Sequence, residues 1–408
     1  MNRLLNFVLY IIVLVQLSCS NTEKTNDKVL TTHIKSPAGD NTEEPHLTEG
    51  ADGNLYMSWI EKKKDTASLF YAKWKDTTWS VPEKIAEGNN WFVNWADYPA
   101  ISINKSGDII AHYLEKSASG TYTYDVKVVA KKATEKIWSN PIKLHSDTVN
   151  AEHGFVSMQP YEDGRFFLTW LDGRNTASNN EHSGHGNSNG AMTIRGAIVD
   201  TNLNIVDTWE LDARTCDCCQ TGATIVDNNP IAVYRDRSED EIRDISIVKY
   251  TNENWSEPKP IYPDNWKIAG CPVNGPRIAT NNGSIAIAWF SASNNSPQVK
   301  LIFSDDIGET FSSPVIVDDS FPLGRVDVGM LDNSTAIVSW LDKGKTEAEI
   351  KVAKFNKEGI IGDIIVVAQS KESRSSGFPQ MAIYNKKLFF AWTDANKPSH
   401  IKLTKLQL

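Results

Sequence analysis

Four cysteines lie close together in the second half of this chain: Cys216, Cys218, Cys219 and Cys271. Cysteines at this spacing can do three kinds of chemistry. They can form two disulfides that join neighbouring loops, in any of three pairings. They can bind a soft metal such as copper or zinc as thiolates, with His153, His182 or His185 as further ligands. One of them can also act as a nucleophile, and the residues alone leave all three open.

Arginines and carboxylates form a second candidate set: Asp97, Arg235, Arg237, Glu241, Arg277, Arg325 and Asp327. Asp97 and Asp327 could serve as a general acid or base if burial raises their pKa. Arg235, Arg277 and Arg325 could surround an anionic ligand, because guanidinium groups bind carboxylates strongly. The alternative for Arg235 is a structural ion pair with Glu241 or Asp244.

The elements that must position these residues are short strands that recur along the chain. A strand ending in a large aromatic residue appears seven times, at intervals of 51 to 64 residues, and ends at Trp59, Tyr113, Trp170, Tyr234, Trp289, Trp340 and Trp392. Turn pairs such as Asp52-Gly53 precede these strands and favour two-residue hairpins. A third, alternating strand follows each time. The fourth often opens with an aromatic-Ser-x-Pro phrase such as 79–82, and proline fits an edge strand.

This repeat predicts an all-β fold, a seven-bladed β-propeller of four-stranded antiparallel blades. The last unit ends at Leu408 without a fourth strand. The segment 29–35 can supply that strand and close the ring, which protects the sheet edges. A six-bladed ring with one irregular unit is the alternative.

The repeat also sorts the candidate residues. In a propeller, the connections that lead into the first strand and out of the second open on one face around the channel. Both candidate sets fall in those connections, mainly between the second and sixth units, so we expect the site on that face. An acid recurs two residues after the aromatic, which indicates a structural role, at Glu61, Glu115, Asp172, Asp236, Asp342 and Asp394. Arg235 breaks the pattern instead, because the equivalent residues are uncharged, and this favours a functional role.

The amino terminus is typical of an export signal. Arg3 precedes an apolar run over 4–17, which is too short to span a membrane. Ser18-Cys19 then resembles the end of a bacterial lipoprotein signal. This resemblance implies a signal peptide over 1–19 with a lipidated Cys19, a flexible tether over 20–28 and a propeller over 29–408. The alternative is an ordinary secretory signal.

An exported, lipid-anchored chain would lie in the bacterial cell envelope and touch the membrane only through its anchor. Such an oxidising setting favours disulfides over a metal at the cysteines. The formal net charge is −9 over 408 residues, and no basic stripe is present, so nucleic acid is excluded as a partner. We expect a monomer.

One phrase resembles a known family. The segment 304–311, Ser-Asp-Asp-Ile-Gly-Glu-Thr-Phe, matches the Asp-box pattern Ser-x-Asp-x-Gly-x-Thr-aromatic. That pattern marks the turn between the third and fourth strands of sialidase-type (BNR) propellers. The resemblance implies a propeller scaffold across 29–408 and glycan chemistry on its loop face.

The resemblance therefore predicts a glycoside hydrolase, an exo-glycosidase similar to exo-α-sialidases that acts on anionic glycans without a cofactor. Those enzymes use three arginines, an Asp acid/base and a Tyr–Glu pair. Their Arg-Ile-Pro motif is absent from this chain. Two other functions thus stay open: a non-catalytic propeller that binds a glycan or protein, and a metal-binding propeller that uses the four cysteines.

Overall fold

The structure is a computed structural model that describes residues 31–176 and 190–408. Its strands fall into seven antiparallel sheets, one for each predicted repeat unit. The seven-bladed β-propeller is therefore confirmed. In the described residues, the helical elements are single 3-10 turns at Glu162–Gly164, Ser293–Asn295 and Arg374–Ser376.

The strands are numbered in chain order. Strand β1 (Thr32–Ile34) belongs to the last blade. Blades one to three contain β2 (Thr42–Glu49), β3 (Leu55–Lys63), β4 (Thr66–Lys75), β5 (Thr78–Trp79) and β6 (Glu83–Gly88); β7 (Ile101–Ile103), β8 (Ile109–Lys116), β9 (Tyr124–Lys131) and β10 (Ile142–Lys143); and β11 (His153–Pro160), β12 (Phe166–Asp172), β13 (Met192–Val199) and β14 (Ile205–Thr215). Blades four and five contain β15 (Gly222–Val226), β16 (Asn229–Arg235), β17 (Ile245–Thr251), β18 (Asn254–Trp255) and β19 (Lys259–Tyr262); and β20 (Arg277–Asn281), β21 (Ser284–Ser291), β22 (Gln298–Ser304) and β23 (Val315–Asp318). Blades six and seven contain β24 (Pro322–Met330), β25 (Ala336–Asp342), β26 (Ala348–Asn356) and β27 (Gly359–Ser370); and β28 (Gln380–Tyr384), β29 (Lys387–Asp394) and β30 (His400–Gln407).

The ring closes through its two ends. Strand β1 pairs antiparallel with β30, with Thr32 opposite Lys405 and Ile34 opposite Leu403. It completes the seventh sheet in the order β1-β30-β29-β28. The predicted closing strand is thus formed by its central residues, and β30 is paired along both edges.

The core lies between the blades. Seven hydrophobic clusters each combine side chains from at least two blades, so the blades pack face to face around the ring. The aromatic residues that define the repeat fill these spaces, and Trp59, Trp170, Trp289 and Trp340 are among the largest fully buried side chains. Truncating such a residue to alanine costs about 3–5 kcal/mol.

Three of the six recurring acids near the ends of the second strands pair with lysines. Asp394 lies 2.5 Å from the Lys402 ammonium, and Glu115 lies 3.2 Å from that of Lys127. Asp342 is paired with Lys351 in the same way. These lysines belong to the third strands, so the acids join neighbouring strands of their own blades, as a structural role requires.

The turn over 304–311 is built by its own polar residues. Asp306 accepts hydrogen bonds from the Thr310 backbone N–H at 2.8 Å and from the Thr310 hydroxyl at 2.6 Å. These bonds lower the pKa of Asp306 to about 2. Gly308 has φ +78°, a backbone conformation that glycine adopts without strain. The turn lies between the third and fourth strands of blade five, where the sequence places it.

The predicted signal peptide, the lipidation site Cys19 and the tether over 20–28 lie outside the described residues. So does the loop that carries His182 and His185. Among the described residues, no helix has the length and apolar character needed to cross a membrane.

Candidate functional site

The four cysteines meet on the loop face. Strand β14 ends at Thr215, and the next residues, 216–219, turn towards the first strand of blade four. The Cys216 backbone N–H donates to the Arg235 carbonyl oxygen at 3.0 Å, which holds the turn against β16. The sulfur atoms of Cys216, Cys218 and Cys219 lie within 4.8 Å of one another. Cys271, from the connection between β19 and β20, reaches the Cys218 thiol.

All four thiols are free in the structure. The Sγ atoms of Cys216 and Cys219 are 3.0 Å apart, whereas a disulfide bond is about 2.05 Å long. No S–S bond joins the four thiols in the structure, and the oxidation state of the cysteines stays a prediction. Cys216 and Cys219 are buried, Cys218 is partly covered and Cys271 is exposed. This leaves one side of the sulfur group open to solvent.

Two arginines and two acids frame the sulfur group. The Arg243 Nη1 atom lies 3.3 Å from Cys216 Sγ. Arg243 also binds Glu241 at 2.8 Å, and Arg237 binds Glu241 at 2.6 Å and Asp217 at 3.0 Å. Burial would raise the pKa of the Cys216 thiol, but hydrogen bonds from the neighbouring thiols and the Arg243 charge hold it well below its usual value. Arg237 and Glu241, predicted as catalytic, are thus part of the frame around the cysteines.

A buried acid group lies nearby. The Tyr124 hydroxyl donates hydrogen bonds to Asp97 Oδ2 at 3.0 Å and to Glu152 Oε1 at 2.8 Å, one of which is made at a time. Asp97 also accepts the Phe155 backbone N–H at 2.7 Å. Burial raises the pKa of Asp97 to about 7 and that of Glu152 to about 8. Asp97 therefore has the proton affinity that an acid or base needs near neutral pH.

A polar cavity of about 190 Å³ runs along the ring axis and is lined by the first strands of the blades. Asp97, Arg277 and Asp327 all line it, as expected for residues that begin inner strands. Arg277 donates to the Tyr98 hydroxyl. Burial raises the pKa of Asp327, although it accepts the Met381 backbone N–H at 2.9 Å.

Arg235 does not face a ligand. Its guanidinium donates to the carbonyl oxygens of Asn274, Arg243 and Phe290 at 2.6 to 3.1 Å, and its carbon lies 4.9 Å from the centre of the Trp266 ring. The side chain is 1 % exposed. The prediction of an anion-binding Arg235 is corrected, and the ion pair that was its alternative is not formed either. The charge is enclosed by backbone dipoles instead.

Arg325 has the same kind of environment. It donates to the Ser376 hydroxyl at 2.9 Å, to the Gly377 carbonyl at 2.7 Å and to two further carbonyls of the same loop. Its guanidinium stacks on the Trp95 ring at 5.0 Å. Of the three arginines predicted to grip an anion, Arg277 alone lines the channel, so the set does not converge.

His153 lies in a different group from the cysteines. Its ring stacks on that of His145, with centroids 3.7 Å apart, and it faces Asp147 and Asp172. The sequence indicated His153 as a helper ligand of the sulfur site, but its neighbours here are nitrogen and oxygen donors. His145, Asp147 and Tyr124 were missed. These residues lie next to the loops that the repeat assigns to this face. Comparing the first residue of the third strand in each blade would have identified Tyr124.

Comparisons with known proteins give the fold. No family model matches the chain, and no curated protein matches it. The phage phi92 endosialidase matches with a TM-score of 0.52 and 9% identity, over 93% of this chain and 69% of that one. The polysaccharide lyase Uly1 matches with a TM-score of 0.50 and 8% identity, over 95% and 94%. Pyrococcus horikoshii acylaminoacyl peptidase matches with a TM-score of 0.49 and 9% identity over 91% of this chain, which spans about half (52%) of that protein.

The likenesses to the endosialidase and to the polysaccharide lyase agree with a β-propeller scaffold. At 8% and 9% identity they show the fold alone.

Proposed function

We propose that this protein is a metal-binding propeller that holds a thiolate-preferring ion, copper(I) or zinc, on its loop face. The observation that carries the proposal is the convergence of Cys216, Cys218 and Cys219 within 4.8 Å, with Cys271 reaching Cys218 from the next connection. Thiolates are the ligands that copper(I) and zinc select.

The spacing of the sulfur atoms fits such an ion. Zn–S bonds of about 2.3 Å in tetrahedral geometry place two sulfurs about 3.8 Å apart. The sulfurs of Cys216 and Cys219 are 3.0 Å apart, and all three sulfurs of 216, 218 and 219 lie within 4.8 Å of one another. Small side-chain rotations would therefore bring three or four sulfurs onto one ion.

The surroundings suit a bound thiolate complex. Three or four thiolates around copper(I) or zinc carry a net negative charge, and the Arg243 guanidinium at 3.3 Å from Cys216 offsets part of it. Glu241 and Asp217 fix that guanidinium and Arg237 in place. The half-exposed side of the group leaves a route for the ion to enter and leave.

We also propose that the site works in the bacterial cell envelope, with the chain anchored through Cys19 and acting as a monomer. In that setting a protein that binds copper(I) or zinc would capture, deliver or use the ion outside the cytoplasm. The buried positions of Cys216 and Cys219 would protect their thiols from oxidation there.

The test is metal analysis with thiol counting on full-length protein from an oxidising compartment. We expect one copper or zinc ion per chain, and copper(I) titration against a coloured competing chelator should end at one equivalent. The double variant Cys216→Ser/Cys219→Ser should lose the ion, whereas the matched control Cys19→Ser should keep it. Protein whose four thiols are all oxidised, or whose free thiols bind neither ion, would overturn the proposal.

A second candidate is an exo-glycosidase of the sialidase kind acting on anionic glycans. The Tyr124 hydroxyl held between Asp97 and Glu152 favours it, because sialidases combine an Asp acid/base with a Tyr–Glu pair. It ranks second because Tyr124 is fully buried and Arg235 and Arg325 are enclosed by carbonyls. Turnover of a fluorogenic sialoside that Asp97→Asn abolishes would put it first, and no turnover across a panel of glycosides would remove it.

A further inference from the structure

A second group of buried donors lies beside blade three, apart from the cysteines. It contains His145 and Asp147, from the connection between β10 and β11, together with His153 at the start of β11 and Asp172 at the end of β12. The side chains of His145, His153 and Asp172 are fully buried, and that of Asp147 is 9% exposed. Such a set of imidazoles and carboxylates has no role in packing a hydrophobic core.

The donor atoms converge on one point. His153 Nε2 lies 3.3 Å from Asp147 Oδ2 and 3.7 Å from Asp172 Oδ1. Ligands at about 2.1 Å from an ion are about 3.0 Å apart at octahedral angles and about 3.4 Å apart at tetrahedral ones. Both distances from His153 Nε2 are thus close to those around one metal ion, and all three donor atoms lie within 4.8 Å of one another.

The two ring nitrogens of His153 differ in their hydrogen bonding. Its Nδ1 lies 3.2 Å from the carbonyl oxygen of Tyr124, which can only accept, so Nδ1 carries the proton. The Nε2 atom is buried and has no hydrogen-bond partner, although two carboxylates face it. When the ring is neutral, the Nε2 lone pair points at two carboxylates and is repelled unless a cation lies between them. Metal-binding histidines are oriented in this way, with the other ring N–H donated to a carbonyl.

His145 supports the same conclusion. Its ring lies parallel to that of His153, 3.7 Å away and tilted by 7°. Two imidazolium ions stacked at that distance would repel each other, so the two rings are not both positively charged. His145 Nδ1 lies 2.6 Å from Asp147 Oδ2, which orients that carboxylate, and its Nε2 is also buried without a hydrogen-bond partner.

The charges around the group are arranged to hold carboxylates in place. Arg174 binds both oxygens of Asp172 at 2.7 Å and reaches Asp147 at 3.3 Å. Lys143 donates to the Asp147 backbone carbonyl. Asp125 lies 3.4 Å from His145 Nε2, and the Arg195 guanidinium lies 3.9 Å from Asp172 Oδ2. The cations around the group therefore hold its three carboxylates in fixed positions.

We propose that His153, Asp147 and Asp172 bind a divalent transition-metal ion of the zinc, cobalt or manganese class. Nitrogen and oxygen donors suit these ions, whereas the cysteine group suits copper(I) or zinc through sulfur. His145 and Arg174 orient the two carboxylates. Three protein ligands leave at least one position on the ion for water or an exogenous ligand. This site shares no donor with the cysteine site, so either can fail alone.

The test uses cobalt(II), whose spectrum reports its ligands. In the quadruple variant with Cys216, Cys218, Cys219 and Cys271 changed to serine, we expect one equivalent of cobalt(II) with visible bands and no sulfur charge-transfer band in the near ultraviolet. Zinc should displace it. Asp147→Asn and Asp172→Asn should each weaken binding at least about tenfold. The control Asp163→Asn, an exposed carboxylate of the same blade, should leave it unchanged.

Circular dichroism of each variant decides whether a loss is specific. If the quadruple variant does not fold, the wild-type chain should take up cobalt(II) at a site without the sulfur band, and Asp147→Asn should remove that site alone. A folded quadruple variant that binds no cobalt(II), or Asp147→Asn and Asp172→Asn variants that bind it as tightly as their parent, would overturn the proposal.

Discussion

Two pairs of arginines in this propeller are neutralised in different ways. Arg235 and Arg325 are enclosed by backbone carbonyls and stacked on tryptophan rings. Arg237 and Arg243 bind carboxylates, and Arg243 touches the Cys216 sulfur. The first pair uses partial charges that no pH change removes. The second uses titratable groups beside a reactive cluster, so it can tune a site, while the first can only hold loops together.

The largest effect should come from Arg235→Ala. This change leaves three buried carbonyl groups without their donor and opens a cavity against Trp266, so we expect the free energy of unfolding to fall by about 3–5 kcal/mol. Urea unfolding measures it. The control Arg374→Ala, at an exposed loop position, should change stability by less than about 0.5 kcal/mol. If both variants unfold at the same urea concentration, the hydrogen bonds of Arg235 to the three carbonyls do not stabilise the fold.

Arg325→Lys should have a smaller effect on stability. Lysine keeps the charge but cannot reach all four acceptors or stack flat on Trp95. We therefore expect the free energy of unfolding to fall by about 1–3 kcal/mol. Thermal unfolding measures it. Metal binding at the cysteines should stay unchanged, and a change there would mean that Arg325 is coupled to the loop face.

The effect of Arg243→Ala should appear in metal binding, where Arg325→Lys should change nothing. We expect the affinity for copper(I) at neutral pH to fall about tenfold, because the thiolate of Cys216 loses its neighbouring positive charge. A chelator competition titration measures this. The deficit should shrink as the pH rises and the thiols ionise unaided, so a constant deficit would contradict the electrostatic explanation.

The smallest effect is a pH dependence that separates the two pairs. Hydrogen bonds from Arg237 lower the pKa of Glu241 below 4.5, so their stabilisation is complete above that pH and is lost as the pH falls through the lowered value. Arg237→Ala should cost about 0.5–1 kcal/mol at pH 7. That cost should shrink as the pH falls below 4.5 and through the lowered pKa of Glu241, whereas the cost of Arg235→Ala should stay constant. If the loss of stability varied with pH in the same way for both variants, the two pairs of arginines would not differ in how they are neutralised.

The fold could be predicted from the sequence because its signals are local and repeated. Turn pairs and strand-end aromatics such as Trp59 and Trp340 fix the hairpins and the spaces between blades, and seven copies average out irregular units. The closing strand followed from the missing edge after β30. Its exact length did not, because three residues of pairing leave no pattern of their own.

The site could be predicted only in part. The sequence indicated the face and the cysteine cluster, because cysteines in loops are rare and chain topology brings neighbouring connections together. It also marked Arg235 as an exception, but not its role, because its partners are backbone carbonyls at Asn274, Arg243 and Phe290, which every residue type possesses. His145 and Asp147 were not found from the sequence, because only the folded chain brings them next to His153 and no sequence spacing shows this contact.

The seven shared clusters determine how this molecule can come apart. Because each hydrophobic cluster is assembled from at least two blades, no blade has an independent core, and detaching one would expose two apolar surfaces at once. The ring should therefore melt in a single calorimetric transition instead of blade by blade. The ring is closed by the three-residue pairing of β1 with β30, so hydrogen exchange at this closure should report any opening of the ring.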